Sequence, residues 1–433
     1  MFRFDAEFRK EFKRHWLMLA IAFSCLMFGL SAGAFSLPFI FPEVIREFGW
    51  TREQATLIAS FKWVAGALAS ILVGRFIDKT GAWIALLITT LTGGIGMLSF
   101  MWVDSLPSYY ISGLLLGLAG PGAMVAVKVL ISRTFDASQG TAMGLALQGT
   151  NLGAVLVPII ITLLIVGVGW RYGMATLSLG IFAISTPLLI YGYLTDSAGI
   201  GRRPAKLSPE QERTKNDPSK ADPEGVPRII DVMKSRQFWL IALAVFLGGI
   251  VDGAFVQHQV LMLRDVGLSA ETAAVAITAI GLIGILGRVL VGNILDNSSN
   301  HGLAFLYLTL TISSLSAFFL SNIVALLVFV VLRAIGHATV LLDTTVMTKH
   351  TYGNSRNLGT LLGIMTAFTG VGFAIGPWIL GVLFDRAGSY ELGFVICAAL
   401  SVAAAVLIWF LKPTFWLSMR RSRTSDRAQV QAI

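Results

Sequence analysis

Eight ionisable side chains stand inside long apolar stretches of this chain: Lys62, Lys128, Asp252, His258, Arg288, Arg333, His337 and Asp343. A charge at mid-bilayer depth costs at least about 2.5–3.5 kcal/mol, so such a residue normally faces a cavity or a partner. Leaving the histidines aside, four cations against two acids give a net embedded charge of +2. An interior with that balance attracts anions. A guanidinium fork matches carboxylate geometry, which makes Arg288 the first candidate anion ligand. Arg333 and His337 are spaced i, i+4 and share one helix face. Lys62 is a further cation at similar depth to Arg333, and Gln148, Thr150 and Asn151 can orient a bound polar group. An imidazole suits proton uptake near neutral pH, so His337, the deeper of the two histidines, and Asp252 are the candidate proton carriers.

The elements that must hold these side chains follow from composition. Of 433 residues, 55% are hydrophobic and only 13% are charged, with a mean hydropathy of +0.75. A soluble globule carries roughly 25% charged residues. A helix needs roughly 20 apolar residues to cross a hydrocarbon core. Twelve stretches qualify, at about 17–41, 52–73, 83–103, 108–131, 140–166, 171–193, 237–262, 271–294, 302–320, 323–347, 358–382 and 392–411. Weak ten-residue alternation, the mark of a membrane barrel, is absent. The first stretch follows a basic segment as a signal peptide does, but its length and lack of a cleavage site mark a retained helix. The basic residues sit between the apolar stretches, which excludes nucleic-acid binding as the reason for the net charge of +9. With an even number of spans both termini share a side, and 24 Lys and Arg lie on that side against five on the other. Both termini are therefore expected in the cytoplasm. The two cysteines, Cys25 and Cys397, lie in apolar runs, and no metal spacing, cofactor motif or phosphate loop is present.

The segment 194–236 is charged and carries five prolines, and it divides the spans six and six. The reading is a tail over 1–16, a first half over 17–193, a cytoplasmic linker over 194–236 with a short amphipathic piece near Val226–Lys234, a second half over 237–411 and a tail over 412–433. Gly74 and Asp78 recur as Gly292 and Asp296 at an offset of 218. Gly144, Gly153, Pro158 and Gly169 recur as Gly363, Gly372, Pro377 and Gly388 at an offset of 219. Repeated small residues and prolines mean repeated helix packing. Two such halves form a transporter architecture with substrate bound near the midplane between them.

The run from Gly74 to Gly81, with Arg75 and Asp78, resembles the loop signature of the major facilitator superfamily, and Gly292 and Asp296 stand where that family has a second copy. Trp170-Arg171 is similar too. Two departures stand out: Ala82-Trp83 replace the usual basic residue, and Gly113 replaces an Arg common in proton-coupled members. More narrowly, Glu47-Phe48-Gly49-Trp50-Thr51-Arg52, Arg264-Asp265-Val266-Gly267-Leu268-Ser269 and Gly287-Arg288 resemble the branch of monocarboxylate transporters and oxalate/formate antiporters. The resemblance implies an all-α fold of twelve transmembrane helices, with Arg288 as carboxylate ligand and spans three, six, nine and twelve facing lipid. It also implies that spans four and ten close the cytoplasmic side. That makes Lys128 and Asp343 a candidate gate, with snorkelling of Lys128 as the alternative. Lys62 and Asp252 lie at depths that allow pairing across the halves; Arg333 could instead form an ion pair inside the second half.

The expectation is a monomeric secondary transporter of the inner, cytoplasmic membrane, not an enzyme, that moves a small organic anion with a proton by alternating access. A carboxylate exchanger and a proton-driven drug exporter are the rival transport readings. A metabolite receptor would need a signalling domain for which neither linker nor tail has room.

Overall fold

The computed structural model describes residues 6–135, 139–196, 229–297, 300–352 and 358–412. Fourteen α-helices fall among them. In the first part of the chain they are α1 (Ala6–Ser24), α2 (Ala32–Phe48), α3 (Arg52–Thr80), α4 (Ala82–Leu98), α5 (Leu106–Thr134), α6 (Gln139–Leu179) and α7 (Thr186–Thr195). Then come α8 (Ile229–Met233), α9 (Arg236–Asp265), α10 (Ala270–Asn297), α11 (Asn300–Ser316), α12 (Ile323–Tyr352), α13 (Leu358–Ala387) and α14 (Glu391–Trp409). The described residues contain no strand.

Ten of the described helical segments are long and apolar enough to cross a membrane. The longest, Ala142–Thr195, has 54 residues and holds spans five and six together. Gly169, at φ 82°, interrupts its helical geometry, so the two spans separate there. The helix α3, with charges near both ends and Lys62 at its centre, is a further 29-residue helix outside those ten. Spans one to six thus run through α1 to α7, and spans seven to twelve are α9 to α14. A break at His15 parts the amphipathic start of α1 from its apolar remainder, close to the expected tail boundary at 16. The short α8 falls within the amphipathic piece expected before span seven; residues 197–228 of the linker and 413–433 of the tail lie outside the described residues.

Contacts divide the chain into two units. Unit 1 is Met1–Ser208 with Gln257–Gly281, and unit 2 is Pro209–Val256 with Leu282–Ile433. Within unit 1 the end of α9 and the start of α10 bond to residues of the first six spans. In unit 1, Thr278 Oγ1 donates to the Val155 carbonyl at 3.2 Å. Arg52 donates both Nη atoms to the Asp265 carboxylate at 2.6 Å each.

Within each unit the repeated residues have repeated physical tasks. Gly169 and Gly388 both adopt positive φ, at 82° and 71°. Each turns the chain where a span ends, a conformation that a β-carbon penalises. Gly153 and Gly372 serve close packing. A β-carbon at Gly153 would collide with Ser31, and one at Gly372 with the Phe246 carbonyl oxygen. Each unit therefore packs its fifth span directly onto its first, as small residues permit in a membrane. Gly113 has the same role in unit 1: a β-carbon there would collide with Ile58 of α3. An arginine side chain at this place has no room in this helix pair.

This packing makes a prediction. Gly372→Val should destabilise the protein by about 1–3 kcal/mol through overpacking. Gly370→Ala, where a β-carbon meets nothing within 4 Å, should be neutral. Thermal melting of the purified protein in detergent compares the two, and equal melting would refute the close approach of α13 to α9.

Candidate functional site

Three of the expected side chains come together in unit 2. Asp252 projects from α9; Arg333 and His337 project from successive turns of α12. Arg333 Nη2 donates to Asp252 Oδ1 in a short contact, and to the Asp252 backbone carbonyl at 3.1 Å. His337 Nδ1 lies 2.8 Å from the other carboxylate oxygen, Oδ2. The Arg333 guanidinium also stands over the Phe255 ring, 5.6 Å from its centre. Cation–π contact of this kind adds attraction where water is scarce.

Exposure separates the three. The Asp252 and Arg333 side chains are 0% and 1% exposed, and His337 retains 21%. The carboxylate is thus closed off on its arginine side and reachable through the imidazole. An ionised Asp252 and a charged Arg333 cancel, leaving the cluster neutral with neutral His337 and singly positive with protonated His337. Nε and Nη1 of Arg333 have no hydrogen-bond partner among the described residues. Buried donors normally find a partner, so these two can still accept one.

Arg288 enters unit 2 from α10. Its neighbours Gly284 and Gly287 bring that helix against α12, with β-carbon positions 3.8–3.9 Å from the Ala334 carbonyl and, at Gly287, 3.7 Å from Ala338. Ala334 and Ala338 flank the Arg333–His337 turn, so Arg288 stands on the helix beside the cluster. Its side chain is half-buried.

The remaining candidates are placed as follows. In unit 1, Lys62 is partly buried, with its ammonium 5.8 Å from the Trp63 ring centre. Asn151 Nδ2 donates to Gln148 Oε1 at 3.1 Å, joining these two on one face of α6. Gln148 is exposed and Asn151 buried. Lys128 is exposed on α5, as a snorkelling lysine is. Asp343 is fully buried in unit 2, where it accepts from Tyr307 Oη of α11 and from Thr344. Inside unit 2 the partners of Asp252 are Arg333 and His337, and those of Asp343 are Tyr307 and Thr344. Gly74, Arg75 and Asp78 fall within α3, and Gly292 and Asp296 within α10; the side chains of Arg75, Asp78 and Asp296 are not among those described. Gly81, at φ 90°, ends α3.

The motifs at 47–52, 170–171 and 264–269 make contacts that their residue letters alone do not reveal. Glu47 accepts from Trp170 Nε1 at 2.8 Å and from Arg171 Nη1 at 2.6 Å. Arg171 also donates to the Val103 carbonyl at 2.8 Å. The Phe48 and Trp50 rings stack 4.3 Å apart. These contacts tie the end of α2 to the middle of α6, and Arg52 to Asp265 ties the start of α3 to the end of α9. Tyr307 carried no signal, because its span has no charge.

The family model described as Major Facilitator Superfamily matches residues 17–348 and 300–432. Monocarboxylate transporter 13 of Rattus norvegicus is 26% identical over 95% of this chain and 92% of its own. The probable sulfoacetate transporter SauU of Cupriavidus necator is 25% identical over 86% of this chain and 88% of its own. Among solved structures, a bacterial homologue of the human lysosomal transporter Spinster is similar with a TM-score of 0.67 and 15% identity, over 94% of this chain and 97% of that one. These relatives are named as transporters rather than enzymes, and the matched regions run through both six-span halves: the chain belongs to the Major Facilitator Superfamily.

Proposed function

We propose that the chain carries a small organic anion, a monocarboxylate, through the cytoplasmic membrane together with a proton, as a monomer with both termini in the cytoplasm. The observation that supports this reading is the buried Asp252–Arg333–His337 cluster, whose charge changes by one with the protonation of one partly exposed imidazole. A proton on His337 adds one positive charge and a bound monocarboxylate removes it. Empty and fully loaded forms then carry the same charge, whereas a half-loaded form must hold an uncompensated charge inside the membrane, at a cost of several kcal/mol. That difference favours movement of the two together. Relatives named for monocarboxylates and sulfoacetate agree with an anionic substrate. Arg288 and Arg333 supply guanidiniums for it, with Lys62 as a further cation and Gln148 and Asn151 as polar groups. Alternating access in this reading requires Arg52 and Asp265 to part when the outer side opens.

Uptake of a panel of carboxylates and sulfonated carboxylates into proteoliposomes tests the reading. Acidifying the outside at constant anion concentration should drive accumulation, each pH unit being worth about 1.4 kcal/mol or tenfold. Dependence on preloaded counter-anion without any pH effect would replace symport by exchange. His337→Asn keeps a donor at the Nδ1 position but cannot hold a proton. The variant is expected to retain exchange of labelled for unlabelled substrate and to lose the tenfold response to acid. A preserved acid response in this variant would remove His337 from the coupling step.

A further inference from the structure

A second buried acid lies on α12, one helical stretch away from the cluster and outside its hydrogen bonds. Asp343 is 0% exposed. Its Oδ2 accepts from Tyr307 Oη, and its Oδ1 accepts from the Thr344 backbone N–H and from Thr344 Oγ1 at 3.0 Å. Thr344 Oγ1 is in turn 3.0 Å from Thr369 Oγ1 of α13. These partners are neutral. Among the described residues no Lys, Arg or His lies within ion-pair distance of Asp343. Among the described residues, the ionisable groups that act on it are Tyr307 on α11 and, beyond hydrogen-bond distance, Asp252 on α9; Arg333 and His337, on its own helix α12, are bonded to Asp252.

The surroundings are shaped for this contact. Tyr307 is fully buried, and its hydroxyl sits where a β-carbon on Gly248 of α9 would be. One turn further along α12, the hydroxyl of Thr348 is buried and has no hydrogen-bond partner among the described residues. Thr344 and Thr348 are spaced i, i+4, so their hydroxyls share a face of the helix. An anion with neutral partners alone is expensive in this setting, and a buried hydroxyl without a partner is likewise costly.

We propose that Asp343, held by Tyr307 and Thr344, is a proton-binding site of its own, loaded along the Thr344–Thr348 face of α12. Taking up one proton converts the carboxylate to the neutral acid. The Tyr307 hydroxyl is then released from donating to an anion and can turn its hydrogen-bonding capacity elsewhere, and no other bond is made or broken. The inference deepens the proton-coupled reading above and rests on it for its place in transport, but the protonation itself can be read without substrate.

The test is infrared difference spectroscopy of the purified full-length protein through a pH titration, with the proton as the only ligand added. The wild type should show a carboxylic-acid carbonyl band that appears on acidification. Asp343→Asn should lose that band, and Asp252→Asn should keep it. Tyr307→Phe, which leaves the acid and removes its donor, should move the midpoint of the titration. A band unchanged in a folded Asp343→Asn overturns the assignment, and so does a midpoint unmoved in Tyr307→Phe should the first variant fail to fold. Loss of the band at fixed pH when sodium replaces potassium would make sodium the occupant and also overturn it. If the band behaves as expected while proteoliposomes show no acid-driven uptake, the site stands and the symport reading fails.

Discussion

Replacing Asp252 by Ala, or Arg333 by Met, is expected to cost about 3–5 kcal/mol of stability, far more than replacing both together. Each single change strands a charge that has almost no access to water: Arg333 is 1% exposed and Asp252 0%. Removing both charges removes the desolvation penalty along with the attraction. A buried pair exchanged for apolar groups is often neutral or even stabilising. The double variant should therefore insert and melt close to wild type, provided the methionine fills the space beside Phe255. It should still fail to transport, because His337 has lost the carboxylate that holds its Nδ1. Melting in detergent and uptake in proteoliposomes separate the two effects. A single Arg333→Met variant that melts like wild type would show that the contact contributes nothing to the fold. A double variant that transports with full acid stimulation would take the cluster out of the mechanism.

The contrast between what was legible and what was not has a physical origin. The bilayer forces its spanning helices to be long and apolar, so twelve spans and the placement of their basic flanks could be read residue by residue. The repeat was legible because Gly169 and Gly388, or Gly153 and Gly372, are fixed by backbone geometry and packing that few other residues tolerate. The i, i+4 spacing of Arg333 and His337 correctly placed both on one face of α12. Partner choice was not legible. Counting residues into a span gives depth along the membrane normal but says nothing of the direction in which a side chain leaves the helix. Depth allowed Asp252 to meet Lys62, and an ion pair of Arg333 inside the second half was open as well; that Asp252 is the acid Arg333 meets comes from the packing of α9 against α12 in unit 2. Tyr307 was hidden for another reason. A search for charges passes over a tyrosine, and the resemblance put span nine against lipid, yet the Tyr307 hydroxyl on that span is what Asp343 accepts from. The contacts of Glu47, Trp170, Arg171, Arg52 and Asp265 were present as motif letters whose pairing spans more than 100 residues.

Arg288→Lys and Arg288→Ala are expected to insert normally and to lose most transport. The side chain is half-buried, so its removal strands no partner as completely as removal of Asp252 would. Its value lies in what it can offer an anion: two parallel N–H donors in a rigid plane, which a lysine ammonium cannot reproduce. A hydrogen bond to a charged group contributes about 1.5–3 kcal/mol, so losing the fork should weaken anion binding by roughly ten- to a hundredfold. If lysine keeps some of the attraction through its charge, it should bind the anion better than alanine does while binding it worse than arginine. The order of apparent affinities is then Arg, Lys, Ala, with the melting temperature of the substrate-free protein nearly constant across the three. Ligand-induced thermal shifts report the affinity step directly, since a ligand stabilises the form it binds in proportion to its occupancy. Gly287 supplies an internal control. It faces α12 beside Ala334 and Ala338, where a β-carbon would meet its neighbours at ordinary contact distance, so Gly287→Ala should leave both the helix spacing and the guanidinium in place. A loss of substrate affinity in Gly287→Ala equal to that in Arg288→Ala would mean that helix spacing, and not the arginine fork, governs binding. Normal uptake by Arg288→Ala would end its candidacy and leave Arg333, with its two unpartnered N–H groups, as the guanidinium that meets the anion.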